Sequence, residues 1–176
     1  MSLQEELLSF ANSVGDMFRR RVAETPDGLA FLDPDRAPEG PNQWTRYTWA
    51  ESRLLVDQLA AGLLARGLSR EQRVGIISTT RLEWILLDLA VACAAGATTT
   101  VYPNTAAGDV EFILDDSGTC IVVVEDATQL AKVEASPTLR AAVHTIVVID
   151  AAHVELNDRV ISYTQLQLLG AEQLKQ

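Results

Sequence analysis

The side chains in this sequence that could do chemistry are few, and their spacing assembles no recognisable catalytic constellation. No G-x-x-x-x-G-K-[ST] phosphate loop, no G-x-G-x-x-G after a strand-like run and no G-x-S-x-G nucleophile turn occurs. The two histidines, His144 and His153, do not stand at metal-ligand spacing from Cys93 or Cys120. His144 is expected to flank a strand or cap a helix. Beyond the first twelve residues, two acidic pairs remain. Asp115-Asp116 precedes Ser117-Gly118 at the end of a helical pattern, where a solvated helix terminus is the expected role; a phosphoacceptor pair would have to follow the first strand. Glu125-Asp126 does follow a strand-like run, the place where parallel sheets bind ligands, but Asp126 is also well placed to cap the next helix. Arg19, Arg20 and Arg21 form the densest basic cluster and read as a solvated helix face.

The elements that must position these groups follow from periodicity. Residues 1–12 read as a frayed lead-in. Ser13 is expected to cap a helix with Met17, Phe18 and Val22 on one side, ending before Pro26. Two alternating runs, Leu29–Asp33 and Gln43–Tyr47, flank a Pro/Gly-rich stretch and predict an antiparallel hairpin with a long loop. Thr48-x-x-Glu51 is a capping-box pattern opening a helix with Leu55, Leu59, Gly62 and Leu63 on one stripe and Gly67 at its end. Residues 13–67 are thus a helix–hairpin–helix section.

From residue 73 to 150 the pattern changes. Apolar strands at 73–78, 98–101, 119–124 and 145–149 alternate with helices at 81–95, 106–117 and 126–134. Such alternation means βαβ units and a parallel sheet flanked by helices on both faces. Gly96 is expected to make the tight turn after the second helix, Pro103 to end a strand, and Asn104 or Thr105 to cap the next helix. A last helix is predicted over 163–174, with Leu166, Leu169 and Leu174 inward. The helix at 81–95 carries two apolar stripes, Leu82/Ile85/Leu86/Leu89/Cys93 and Trp84/Leu87/Val91/Ala95. It should be covered on more than one side. Residues 1–176 offer few elements for that second layer, so an oligomer interface and the remainder of a larger protein both stand as its cover.

Composition bounds the function classes. Lys and Arg total 14 against 24 Asp and Glu, a formal charge of -10. That lacks the basic footprint nucleic-acid binding needs. The longest apolar run, Trp84–Ala97, is interrupted by Asp88 and is shorter than the roughly 20 residues of a membrane span. Cys93 and Cys120 lie in apolar runs and read as buried free thiols, with a cytoplasmic setting expected.

Three stretches together resemble the adenylate-forming, AMP-binding superfamily, and within it the long-chain fatty-acid–CoA ligases. They are Ser13–Arg19 with Thr25–Phe31; Tyr47–Glu51 with Leu59–Gly67; and Arg73–Ser78, Glu83-Trp84, Ala94–Asn104 and Glu111–Gly118. The likeness covers about residues 13–165. It implies that 13–176 form the N-terminal α/β subdomain of an AMP-binding domain. It also implies a reaction for the complete enzyme: a fatty acid and Mg-ATP give acyl-adenylate and pyrophosphate, and the CoA thiol then displaces AMP. The family's Ser/Thr/Gly-rich phosphate loop ending in Pro-Lys-Gly, its magnesium-associated glutamate, its ribose-binding aspartate and its catalytic lysine lie beyond the matched stretches, and residues 1–176 contain none of these motifs. No catalytic or metal-binding residue is therefore assigned here. Tight binding of ATP, Mg2+ or CoA to this chain alone is not expected, and the remainder of the ligase is its expected partner. By family analogy Lys132 is the candidate contact to a CoA phosphate, and Trp84 and Tyr102 are candidates to approach the acyl channel, although core packing is the simpler role for both aromatics. A homodimer and a peripheral membrane association of the complete enzyme are compatible with the resemblance. Two other readings stay open: a stand-alone, non-catalytic binding or interaction module, and an unrelated flavodoxin-like domain, which the missing phosphate loop disfavours.

Overall fold

The computed structural model describes residues 12–34 and 44–175. The predicted lead-in at 1–12 lies almost wholly outside the described residues, as does most of the long hairpin loop.

Helix α1 (Val14–Glu24) begins where Ser13 accepts a hydrogen bond from the Asp16 amide. Phe18 and Val22 are buried as expected, but Met17 is exposed. Strands β1 (Leu29–Asp33) and β2 (Thr45–Thr48) form the antiparallel hairpin. Helix α2 (Trp49–Ala65) opens with the full capping box, the Thr48 hydroxyl and Glu51 carboxylate each satisfying the other's amide. It ends at Gly67, whose φ of 92° is the left-handed turn that favours glycine.

The main sheet contains β3 (Arg73–Ile77), β4 (Ala97–Val101), β5 (Thr119–Val124), β6 (Thr145–Val148) and β7 (Val160–Ser162). Its order is β4-β3-β5-β6-β7 and every pairing is parallel. The fifth strand, β7, extends the sheet beyond the units predicted over 73–150. Helices α3 (Leu82–Cys93), α4 (Ala107–Asp116), α5 (Ala127–Ala135), α6 (Pro137–Ala142) and α7 (Tyr163–Gln173) complete the chain. Alternation along the strands divides the core in two. Val74, Ile76, Ile121, Val123, Val147 and Ile161 face the layer of α1, α2, α3 and α7. Ile77, Val101, Val122, Val124, Ile146 and Val148 face α4, α5 and α6. Both faces are covered, which is why the central strands are apolar throughout.

The cover of α3 corrects one expectation. This chain supplies it: α1 and α2 both pack on α3, and Phe18, Val22, Leu59 and Leu63 share a core with Leu86, Leu87, Ala90 and Val91. A partner or a missing domain is not needed to bury that helix. Three local expectations also change. Ala95, with φ 58°, rather than Gly96, takes the left-handed turn after α3, and the Gly96 amide closes onto the Val91 carbonyl. Gly96 is needed for a different reason, since a Cβ there would stand 3.1 Å from Val91 Cγ1 and 3.3 Å from the Gln72 carbonyl. Neither Asn104 nor Thr105 caps α4, whose N-cap is Ala106 with no side-chain bond. Leu174 is exposed, leaving Leu166 as the inner anchor of α7.

Candidate functional site

Counted in chain order within the main sheet, the strands run 2-1-3-4-5. This is a doubly wound order, with its switch point between β3 and β5, where connections leave in opposite directions and ligands usually bind beyond the strand ends. The order is shared with flavodoxin-like domains, so the absence of a phosphate loop, rather than topology, separates the two readings.

The residues leaving β3 are Ser78, Thr79, Thr80 and Arg81; those leaving β5 are Glu125 and Asp126. They hold one another. Glu125 accepts from the Thr79 amide at 2.7 Å and from the Thr79 hydroxyl at 2.8 Å. Arg81, at the start of α3, donates Nε to Glu83 at 2.8 Å and Nη1 to Asp150 at 2.6 Å, and it stands 3.8 Å from Glu125. The ends of β3, β5 and β6 are thereby tied together by hydrogen bonds between residues 46 and 69 apart in sequence. Burial, the largest single influence on Arg81, works against its charge; the hydrogen bonds it donates to Asp150 and Glu83 outweigh it, and the guanidinium is held more firmly protonated than usual. One cation thus faces three carboxylates. Such a crevice repels phosphate, and the only cation in the network is already engaged.

Beside this network lies a hollow of about 180 Å³ lined by Phe31, Leu32, Asp33, Pro34, Thr80, Arg81, Leu82 and Ile85. Its walls are mostly apolar. A wider surface groove of about 600 Å³ lies between α1 and α2, lined by Arg19, Val22, Ala23, Pro26, Ala50, Arg53, Leu54 and Asp57, with no residue from the strand ends. Among the described residues no group of three or more His, Cys, Asp or Glu could hold a metal ion, and no helix is long and apolar enough to cross a membrane.

The residues singled out from the sequence do not converge. Lys132, on α5, donates to the Pro103 carbonyl at 2.6 Å and the Thr105 carbonyl at 2.9 Å, fastening the loop after β4. Trp84 is half-buried and packs against the core between sheet and helices. Tyr102, expected in the core, is 78% exposed at the end of β4. Asp126 caps α5 through the Thr128 and Gln129 amides. Asp115 and Asp116 are solvated at the end of α4. In the basic cluster, Arg20 pairs with Asp16 and Arg21 lies 5.4 Å from the Trp49 ring. His144 flanks β6 and touches the Thr145 hydroxyl. Both thiols are free and half-buried, and burial raises the pKa of each, which keeps them protonated and unreactive. Arg81 and Asp150 were not singled out from sequence. The available signal was positional: Glu125, Asp150 and the 78–81 segment each follow an apolar strand.

Comparison with known proteins agrees with this architecture. The chain is 35% identical over 101 residues to the long-chain-fatty-acid–CoA ligase FadD15 of Mycobacterium bovis, a match covering 55% of this chain and 17% of that protein. It is 28% identical over 110 residues to an uncharacterized protein of Mycobacterium tuberculosis, Rv1549, covering 62% of this chain and 59% of that one. The solved structure of a Mycobacterium tuberculosis fatty acyl CoA synthetase superposes with a TM-score of 0.65 at 22% identity, over 90% of this chain and 28% of that one. This chain therefore spans under a fifth of the curated ligase it matches and under a third of the solved synthetase. The family model described as AMP-binding enzyme matches residues 18–170, nearly all of the sheet and its helices, and the chain belongs to that family.

Proposed function

We propose that this chain is the N-terminal portion of a long-chain fatty-acid–CoA ligase. It frames one side of the enzyme and carries none of its catalytic groups. The complete protein would join a fatty acid to AMP from Mg-ATP, releasing pyrophosphate, and then transfer the acyl group to the CoA thiol, in the cytoplasm or at a membrane surface. The observation that carries this reading is the run of ligase-like stretches in the ligase order across residues 13–165, on a parallel sheet of the matching fold. The strand-end crevice supports the non-catalytic half. Adenylyl transfer needs cations and oriented donors aimed at developing negative charge, and here three carboxylates already surround the one arginine.

The test is ATP–pyrophosphate exchange with palmitate by the purified 176-residue chain. No exchange above background is the expected result, and robust exchange refutes the assignment. Within the same reading Lys132 contacts a CoA phosphate and Trp84 and Tyr102 border the acyl channel. An ammonium has three donors, and Lys132 uses two of them on Pro103 and Thr105, so one is left for a phosphate. Lys132→Ala in a complete ligase should raise the KM for CoA; an unchanged KM removes it from the binding residues.

A second reading is a stand-alone, non-catalytic interaction module. The likeness to Rv1549 favours it, because that match takes in more than half of the relative's length. A reading frame that continues past codon 176 into a Pro-Lys-Gly loop decides for the ligase, and a stop codon there for the module.

A further inference from the structure

We propose that the outer face of α4 is a docking surface for an arginine-bearing segment of a partner protein, with Phe112 at its centre. The proposal does not rest on the ligase reading.

Helix α4 turns Val110 and Leu114 into the core. At about 100° per residue, the position opposite them is Phe112. Its ring is 69% exposed. Its neighbours one turn away on that face are Gly108 and Asp109 before it and Asp115 and Asp116 after it, and all four are exposed. Gly108 leaves the ring bare, since nothing lies within 4 Å of where its Cβ would be. An aromatic at the middle of a solvent-facing stripe buries little for this fold. Aromatic anchors ringed by polar groups are what the centres of protein interfaces are made of.

The charges around the ring select the partner. Asp109, Glu111, Asp115 and Asp116 form no ion pair among the described residues. Residues 82–131 contain eight Asp or Glu and no Lys, Arg or His, so α4 has no base of its own and none close by in sequence. The arrangement also works against the helix. Asp115 and Asp116 stand in its last turn, where the carbonyl ends disfavour an anion and no basic residue is present. Glu111 and Asp115 are like charges at i and i+4. Folding alone gives no reason for this placement, and a cation arriving from outside relieves both conflicts.

Arginine fits this face better than lysine. Its planar guanidinium lies over an aromatic ring and offers paired donors to a carboxylate, whereas an ammonium is a hydrated point charge. Phe112 supplies the ring, and Asp109, Asp115 and Asp116 supply the carboxylates. The stacking half of that recognition already occurs within this chain, where Arg21 lies 5.4 Å from the Trp49 ring. A chain at -10 also draws a cationic segment in from a distance, so the long-range field and the local charges act in the same direction.

The experiment titrates the 176-residue chain at low ionic strength with a fluorescent alanine-based peptide carrying arginines at i and i+4, and with its lysine twin. A Kd of about 10–100 µM is expected for the arginine peptide, with the lysine peptide weaker by about threefold or more. Phe112→Leu should remove the difference between the two peptides. Asp115→Asn with Asp116→Asn should weaken arginine-peptide binding by about fivefold or more, yet raise the Tm of the free chain by about a degree or more. Asp27→Asn with Glu155→Gln, exposed carboxylates elsewhere on the chain, is the equal-charge control and should change binding by less than about twofold. No saturable binding, equal affinity for the two peptides, or equal effects of the two double variants would each overturn the proposal. So would a Tm lowered by the α4 pair, since those carboxylates would then be serving the fold.

Discussion

Among the described glycines the closest backbone approach is between two helices, and it makes a sharp prediction. Where α2 crosses α7, glycine meets backbone. A Cβ placed on Gly170 would stand 1.7 Å from the Gln58 carbonyl oxygen and 2.7 Å from the Gly62 amide nitrogen. A Cβ on Gly62 would in turn stand 2.4 Å from the Leu166 carbonyl oxygen. Ordinary contact begins near 3.4 Å, so Gly170→Ala must part the two backbones by about 1.7 Å. The obstructing atom is main chain, so no side-chain rotation relieves it. Parting the helices also loosens Leu59, Leu63 and Leu166, all fully buried at this crossing. Overpacking of this kind costs about 1–3 kcal/mol or more, against a gain of about 1 kcal/mol in helix propensity. With the backbone itself in the way, the upper part of that range applies and a net loss of about 2 kcal/mol is expected. For a chain of this length that is a Tm lowered by about 4–8 °C. Gly108→Ala is the control: it lies in the first turn of α4 with nothing within 4 Å of its Cβ position, so propensity alone should raise Tm by a degree or more. Thermal melts of the three proteins decide the matter. A Gly170→Ala protein as stable as wild type would show that α2 and α7 do not approach this closely.

Arg81→Met should destabilise the chain by about 2–4 kcal/mol in urea titration, because buried Glu83 and half-buried Glu125 lose the cation between them. Replacing Glu83 by glutamine in the same chain should recover part of that loss. His144 is held below its ordinary pKa, chiefly by burial and also by nearby Arg66, so the unfolded chain takes up its proton first as pH falls. The contribution from neutral His144 is therefore present above pH 6.5 and is lost as pH drops through the lower folded value. His144→Gln should flatten the fall in Tm between pH 7 and 5, and an unchanged slope counts against this role.

The sheet was legible in the sequence because strands buried on both faces must be apolar. Val122–Val124 and Ile146–Val148 announce themselves without any knowledge of their neighbours. Capping was legible for the same reason: Ser13, Thr48 with Glu51, and Asp126 act on amides two or three residues away. Strand β7 was missed because Val160-Ile161-Ser162 is too short to show a period. Helix α6 was missed although Ser136-Pro137 is a cap followed by a first-turn proline, a signal overlooked for want of an apolar stripe. Met17 and Leu174 show the limit of helical periodicity: spacing gives a face but not the width of the neighbour that covers it. The Arg81 network was illegible as a network, since its partners come from three strand ends and only the sheet order brings them together.

That network bears on how a doubly wound sheet is used. The switch point of such a sheet is a ready-made crevice, and a chain that binds nucleotide there supplies amides and cations at the strand ends. Here Glu125 occupies the Thr79 amide and hydroxyl, and Arg81 is consumed by Glu83 and Asp150. The donors are spent on joining strands. A crevice whose donors fasten its own strands has little left to offer a phosphate. Away from the crevice, Lys132 holds the loop after β4 with two of its three donors, which leaves one for a ligand.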